Sequence, residues 1–188
     1  MESATIQDKT TANTRKKRIY SRMRWMTRSD MPEVLRIEQE SYEFPWMADD
    51  FTRCLRQRNC IGLVADYEDR IVGFIIYKLH KTYIRILNLA VDPAWRRCGV
   101  GMQIMAKLIS KLSPQGQRRS KLFLEVRETN LPAQLFFKYC EFRAISILHN
   151  FFDDTPEDAY LMRYKSGSPE HERVTLLRLD PKYTPIIT

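Results

Sequence analysis

Two rhythms of apolar and polar positions run through the chain, and the points where one gives way to the other mark its elements. Met23 to Met26 reads as a first edge strand. Ser29-Asp30-Met31-Pro32-Glu33 then offers an aspartate cap, a proline in the first turn and a glutamate three residues on, which predicts a helix start. Its apolar stripe is Met31, Val34, Leu35 and Tyr42. Phe44-Pro45-Trp46 interrupts the pattern, and a second helix is predicted with Phe51, Cys54 and Leu55 on one face. Ile61 to Tyr67 and Ile71 to Leu79 are β-branched and aromatic runs separated by Glu68-Asp69-Arg70, which predicts an antiparallel hairpin. Thr82 to Val91 supplies a further strand, apolar almost without a break from Ile84 onward.

That strand ends at Asp92-Pro93, where proline removes a ladder donor. After Gly101, apolar residues recur at Ile104, Met105, Leu108, Ile109 and Leu112, one stripe of a helix laid against a sheet. Between strand and helix lies Arg96-Arg97-Cys98-Gly99-Val100-Gly101. Its glycines let the backbone turn with several N–H groups pointing one way, and these continue into the free donors of a helix start. The result is an anion cradle with two arginines beside it. Past the turn-like Ser113-Pro114-Gln115-Gly116, Lys121 to Arg127 is a strand, and Thr129-Asn130 caps a helix containing Pro132, Leu135, Phe136 and Tyr139. Phe142 to Leu148 and Ala159 to Tyr164 predict a closing hairpin around Asp153-Asp154-Thr155-Pro156. Val174 to Leu179 reads as a short strand or helix, in a tail where Pro181 and Pro185 favour irregular backbone. The order β-α-α-β-β-β-α-β-α-β-β makes an α/β (α+β) domain, a mixed sheet with helices on its faces.

Composition changes this picture only at the ends. A chain of 188 residues with 44% hydrophobic content builds one core. Residues 1–22 are expected to be a disordered basic arm, 23–165 the folded domain and 166–188 a C-terminal extension. About six of the eight net positive charges fall in residues 1–28, with Arg15-Lys16-Lys17-Arg18 as their densest run. Two readings stay open for this arm: a solvated tail, or a segment that makes weak contact with RNA or another polyanion. No apolar run approaches the length that spans a bilayer, and the basic N-terminus carries no apolar signal core, which together predict a cytoplasmic protein. Cys54, Cys60, Cys98 and Cys140 are scattered and the three histidines lie far apart, so reduced thiols and no metal are expected.

The pattern Arg-x-x-Gly-x-Gly after a strand ending in Val-Asp-Pro resembles the acetyl-coenzyme A pyrophosphate loop of the GNAT N-acetyltransferase superfamily, and the order of elements also matches that fold. It is distinct from the dinucleotide fingerprint and from the P-loop. Several further segments are similar to the RimI group, which acetylates the N-terminal alanine of a ribosomal protein, and to related protein N-terminal acetyltransferases. They are Ile37-Glu38-Gln39, Phe44-Pro45-Trp46, Asn88 to Pro93, Leu124 to Arg127 leading into Thr129-Asn130, and Glu157-Asp158-Ala159. The resemblance implies that Leu89, Ala90 and Val91 offer backbone groups to the pantetheine arm. It also implies that the loop Arg96, Arg97, Cys98, Gly99, Val100, Gly101 and Met102 holds the pyrophosphate, and that Asn130, also a natural helix cap, contacts acetyl-CoA. Glu125 matches the general base, while Phe44, Trp46 and Tyr160 match positions lining the acceptor's entrance. A hydrophobic staple between two helices is an equal reading of Phe44-Pro45-Trp46.

Chemistry supports Glu125 independently, since an amine acceptor is mostly ammonium at neutral pH and must lose a proton before attacking a thioester. On the predicted strand Phe123, Glu125 and Arg127 share one face and Leu122, Leu124 and Val126 the other, and a pairing of Glu125 with Arg127 is the alternative use of the carboxylate. The chain departs from the family at Phe137, where relatives carry the tyrosine taken to protonate the leaving thiolate. Asn150-Phe151-Phe152 likewise carries phenylalanines where relatives often have tyrosines. The acceptor implied is the N-terminal amine of a protein. A small amine, a lysine side chain, or a weakly catalytic acetyl-CoA-binding role are the alternatives.

Overall fold

Seven strands in the order β1-β2-β3-β4-β5-β7-β6 form one sheet in the computed structural model, which describes residues 16–113 and 119–166. The expected turn at 114–116, the segment Val174 to Leu179 with the rest of the extension beyond 166, and residues 1–15 of the arm lie outside these residues. The strands are β1 (Arg22–Trp25), β2 (Cys60–Tyr67), β3 (Arg70–Leu79), β4 (Tyr83–Val91), β5 (Lys121–Arg127), β6 (Arg143–Leu148) and β7 (Ala159–Lys165). Helices α1 (Met31–Ser41), α2 (Ala48–Leu55), α3 (Val100–Ile109) and α4 (Leu131–Tyr139) complete the order read from the sequence. Every neighbouring pair is antiparallel except β4 and β5. The β2–β3 hairpin turns on Glu68 and Asp69, both with positive φ, the geometry of a two-residue primed turn made here without glycine.

Each face of the sheet carries its own core. On one, Ile104, Met105 and Leu108 of α3 and Phe137 of α4 pack with Ile75, Tyr77, Ile84, Leu122 and Leu124. On the other, Val34 and Ile37 of α1 and Phe51 of α2 pack with Val64, Phe74, Ile76 and Ala90. The face of α1 turned inward differs from the predicted stripe. Val34, Ile37 and Glu38 are its buried residues, while Met31, Leu35 and Tyr42 flank them. Asp30 does not cap α1 with its side chain. Its carboxylate turns back to Thr27 N (2.7 Å) and grips the Arg24 guanidinium at 2.8 and 2.7 Å.

Residues 16–21, read from sequence as part of a free arm, are instead strapped across the start of α3. Ile19 is buried in the α3-side core. Its N–H donates to Cys98 O at 3.1 Å, and Gln103 Nε2 donates to its carbonyl at 2.8 Å. Ser21 N donates to Gln103 Oε1 (2.9 Å) and Lys16 Nζ to Ala94 O (2.8 Å). A single isoleucine within a basic run is what docks this segment.

Candidate active site

The site is built where β4 and β5 part company. Their parallel pairing covers Tyr83–Lys121, Ile84–Leu122 and Arg85–Phe123 only. On its other side β4 follows β3 throughout but with a shift, since Ile76 faces Asn88 while Tyr77 faces Ile86. Leu87 is therefore an extra residue, a bulge that bends the strand away from β5. The bulge also switches which side chains face which core. Ile84 and Ile86 belong to the α3 side, whereas Asn88 reaches α1 and Ala90 joins the α1-side core. Beyond it, the Leu89 carbonyl accepts from Tyr42 Oη and the Val91 carbonyl from Arg96 Nε (3.2 Å).

The cradle follows directly. Asp92 caps the Pro93–Trp95 turn through Oδ1 to Ala94 N (2.8 Å), and its other oxygen takes Arg36 of α1 at 2.5 Å. Arg97 and Gly99 both have left-handed backbone, at φ 69° and 87°. Alternating left-handed residues curl N–H groups into an anion-sized concavity. The first intrahelical bond of α3 runs from Gln103 N to Gly99 O at 3.2 Å, so the N–H groups of Val100, Gly101 and Met102 have no acceptor within the helix. Cys98 and Val100 turn their side chains into the core; Val100 can offer a ligand only its N–H, whereas the Cys98 N–H is given to Trp95 O and its carbonyl accepts from Ile19 N. A Cβ on Gly101 would stand 3.1 Å from Phe136 of α4, so its lack of a side chain sets how closely the two helices approach. This set of outward donors, with two arginines and no carboxylate among residues 96–102, fits a pyrophosphate.

Glu125 stands just past the last β4–β5 pair, largely buried. Both its oxygens are held by Arg85, at 3.0 Å from Nε and 2.8 Å from the terminal nitrogen. The alternative of pairing with Arg127 is not realised. Arg127 turns instead to Asp154, Glu157 and Thr155 in the loop between β6 and β7. Its guanidinium lies between the rings of Phe44 and Phe152, at 4.9 and 3.8 Å from their centroids. The loop after α1 and the loop before β7 thus meet over one cation, on the same sheet face as Glu125. Burial works against the Arg127 charge, but the carboxylates of Asp154 and Glu157 together outweigh it and raise its pKa, while Asp154 and Glu157 are held below the usual carboxylate range, Asp154 mainly by Arg127 and Glu157 by Thr129 and then Arg127.

Other expected residues fall differently. Trp46 packs its ring on Phe51 at 5.4 Å and gives its N–H to Glu38, which makes it a staple between α1 and α2, while Phe44 stays exposed. Tyr160 lies opposite Val126 and so on the α3 side of the sheet, away from Glu125; Leu161 is the residue opposite Glu125. Asn130 Oδ1 accepts from Ala133 N at 3.1 Å, a helix cap. Phe137 is buried between the rings of Phe136 and Phe142. Sequence reasoning missed Arg85, Glu38 and Asn88 as residues of this region. For Arg85 and Asn88 the available signal was polar character inside an apolar run; Glu38, followed by Gln39 and Glu40, gave none.

A profile of the acetyltransferase (GNAT) family matches residues 25–142. The chain belongs to that family. It is an acetyl-CoA-dependent N-acetyltransferase. Among similar proteins, the [ribosomal protein bS18]-alanine N-acetyltransferase of Salmonella typhimurium is 30% identical over 139 residues, covering 73% of this chain and 92% of its own. An N-alpha-acetyltransferase of Sulfolobus acidocaldarius is 28% identical over 159 residues, covering 78% and 94%. The crystal structure of the ribosomal-protein-S18-alanine N-acetyltransferase from Escherichia coli superposes with a TM-score of 0.68 at 26% identity, over 80% of this chain and 97% of that one. Among the described residues no helix is long and apolar enough to cross a membrane.

Proposed function

We propose that the protein acetylates the N-terminal α-amino group of a protein, with acetyl-CoA entering the gap between β4 and β5 and the acceptor arriving from the side of Phe44 and Arg127. The observation that carries this reading is the position of Glu125 at the mouth of the gap, on the face where the two aromatic loops meet. The names of the relatives above support an N-terminal amine as acceptor, and the alanine of ribosomal protein bS18 is the acceptor that the Salmonella typhimurium relative's name gives. A cytoplasmic setting belongs to the same reading.

Acetyl-CoA supplies a thioester carbonyl for the amine to attack and a thiolate leaving group. The chain's own groups do the rest. N–H groups of Arg97 and of Gly99 to Met102 cradle the pyrophosphate, and the β4 edge from Leu89 to Val91 aligns the pantetheine once Tyr42 and Arg96 yield its carbonyls. Glu125 accepts the ammonium proton, directly or through a water, while Arg85 fixes the carboxylate's direction. Phe137 has no proton to give. A thiol with a solution pKa of about 8.5 leaves as thiolate without one, so the cost falls on rate and not on the class of reaction.

Turnover of acetyl-CoA on an alanine-starting peptide, a lysine-containing peptide with blocked N-terminus and a polyamine tests the acceptor. The alanine peptide is expected to have the highest kcat/KM, and Glu125→Gln to lower kcat with little change in acetyl-CoA affinity. A preference for lysine or polyamine would replace the proposed acceptor.

A further inference from the structure

Glu38 is the most deeply buried carboxyl in the described structure, 1% exposed, with no ion-pair partner among the described residues. One oxygen, Oε1, accepts two hydrogen bonds of 2.9 Å, from Trp46 N and from Asn88 Nδ2. The other, Oε2, has no partner, and neither does Asn88 Oδ1. Two unsatisfied acceptors therefore sit on two side chains already joined through their other ends. Turning the Asn88 amide over does not help, since it would set its oxygen against Glu38 Oε1 at 2.9 Å. A carboxylate with a bare oxygen in an apolar core is costly. One proton removes the problem at both atoms, because an acid and an amide present matching donor and acceptor pairs.

We propose that Glu38 is held as the neutral acid, with Oε2–H donating to Asn88 Oδ1, and that this proton-bearing pair is a positioning device tying the acceptor loop to the donor strand. Asn88 follows the bulge at Leu87 and precedes Leu89 to Val91, while Trp46 belongs to the loop carrying Phe44, so one side chain braces both sides of the gap. The surroundings agree. From the end of α1 comes the Tyr42 phenol, which donates to Leu89 O. The neighbouring α2 and β3 contribute apolar Phe51, Phe74 and Ile76. Arg96 is spent on Ser41 and Val91 O. Burial pushes the Glu38 carboxyl up, against the smaller pull of its two N–H donors.

The positioning half rests on the site reading given above; the protonation half does not, and the test separates them. Glu38→Gln reproduces the neutral acid's pattern, its carbonyl accepting from Trp46 and Asn88 and its amide donating to Asn88 Oδ1. It is expected to keep kcat/KM for the alanine peptide within about threefold of wild type, whereas Glu38→Ala raises the acceptor KM by roughly tenfold with kcat changed less. The wild-type-minus-Glu38→Gln infrared difference spectrum at neutral pH is expected to contain a protonated-carboxyl C=O band. A folded-state pKa above the unfolded one makes stability fall as pH rises from the unfolded toward the folded value, and that slope should vanish in Glu38→Gln. Absence of the band, or a Glu38→Gln variant as impaired as Glu38→Ala, overturns protonation. A band with no change in acceptor KM in Glu38→Ala leaves the proton in place and overturns the positioning role.

Discussion

Replacing Ile19 by alanine is the sharpest test of whether the basic arm ends where the sequence suggests. Ile19 is 8% exposed and packs under a carbonyl of the cradle, with its own N–H on Cys98 O. Truncating a buried isoleucine costs about 2–5 kcal/mol, and a rim position open to relaxation belongs at the low end, about 2. For a domain of this size that lowers Tm by about 4–8 °C. The same change should reach the donor site, because the strap holds the Cys98 carbonyl between the left-handed Arg97 and Gly99. If the cradle is formed only a tenth of the time without the strap, the apparent Kd for acetyl-CoA rises about tenfold. Urea or thermal melts and calorimetry with acetyl-CoA would be run on Ile19→Ala, on Gln103→Ala, which loses the bonds to Ile19 O and Ser21 N, and on a chain lacking residues 1–15. The two substitutions are expected to lower both stability and affinity, and the truncation neither. Equal behaviour of all three with wild type would refute the strap, and a truncation as damaging as Ile19→Ala would move the boundary further toward the N-terminus.

Gly99→Glu is expected to weaken acetyl-CoA binding by at least about tenfold in calorimetry, since a side chain at φ 87° is strained by about 1–2 kcal/mol and its Cβ would meet Arg18 Cγ at 3.2 Å; unchanged affinity would sink the cradle. Phe137→Tyr should raise turnover about tenfold to a hundredfold at unchanged acetyl-CoA affinity by supplying a proton to the departing thiolate, and no gain in kcat would show that this position does not face the sulfur. Arg24→Ala should cost stability that depends on pH. Arg24, helped by two hydrogen bonds from Thr27, holds the Asp30 carboxyl down at about 2 from 3.8, so the pH-dependent stability that Arg24→Ala removes is the larger part of about 2 kcal/mol, present above pH 4 and lost as pH falls toward 2. Denaturation of both proteins across that window should converge at its acid end. Removing residues 1–15 should also weaken any association with ribosomal particles more at low salt than at high, and a salt-independent result would exclude a polyanion-binding role for the arm.

The order of elements was legible because each one is set by local chemistry: Pro93 and Gly99 bracketing the cradle, Asn130 capping α4, alternating Leu122, Leu124 and Val126 fixing the inner face of β5. What escaped was long-range or a matter of phase. In Ile84 to Val91 only Arg85 and Asn88 break the apolar run, too few to fix a period, so the bulge at Leu87 was not read and with it the split of β4 from β5. Arg85 and Glu125 are 40 residues apart and meet only because parallel strands put them side by side. On α1, Ile37 and Glu38 lie on the inner face, yet a glutamate flanked by Gln39 and Glu40 reads as solvated. Tyr160 was placed by its neighbours in sequence, whereas its face is set by its pairing with Val126.

Two glutamates bracket the gap, and their surroundings divide the work between them. Glu125 has a guanidinium on both oxygens and lies at the strand edge, where an approaching ammonium can share the carboxylate with Arg85 or displace it. Glu38 has only an amide and a backbone N–H on one oxygen, deep in α1's inner face, and its second oxygen has no partner. A group that must take a proton from substrate needs a carboxylate held in direction and a path to the mouth; Glu125 has both. A group that must hold two elements in register needs a fixed set of hydrogen bonds and no dependence on what enters the site. Glu38 meets that requirement only with its proton on, so the roles cannot be exchanged by exchanging the residues' names. Gln at 38 should be tolerated and Gln at 125 should not, and it is the contrast between these two isosteric changes, made in one background and measured on one acceptor, that tests the division.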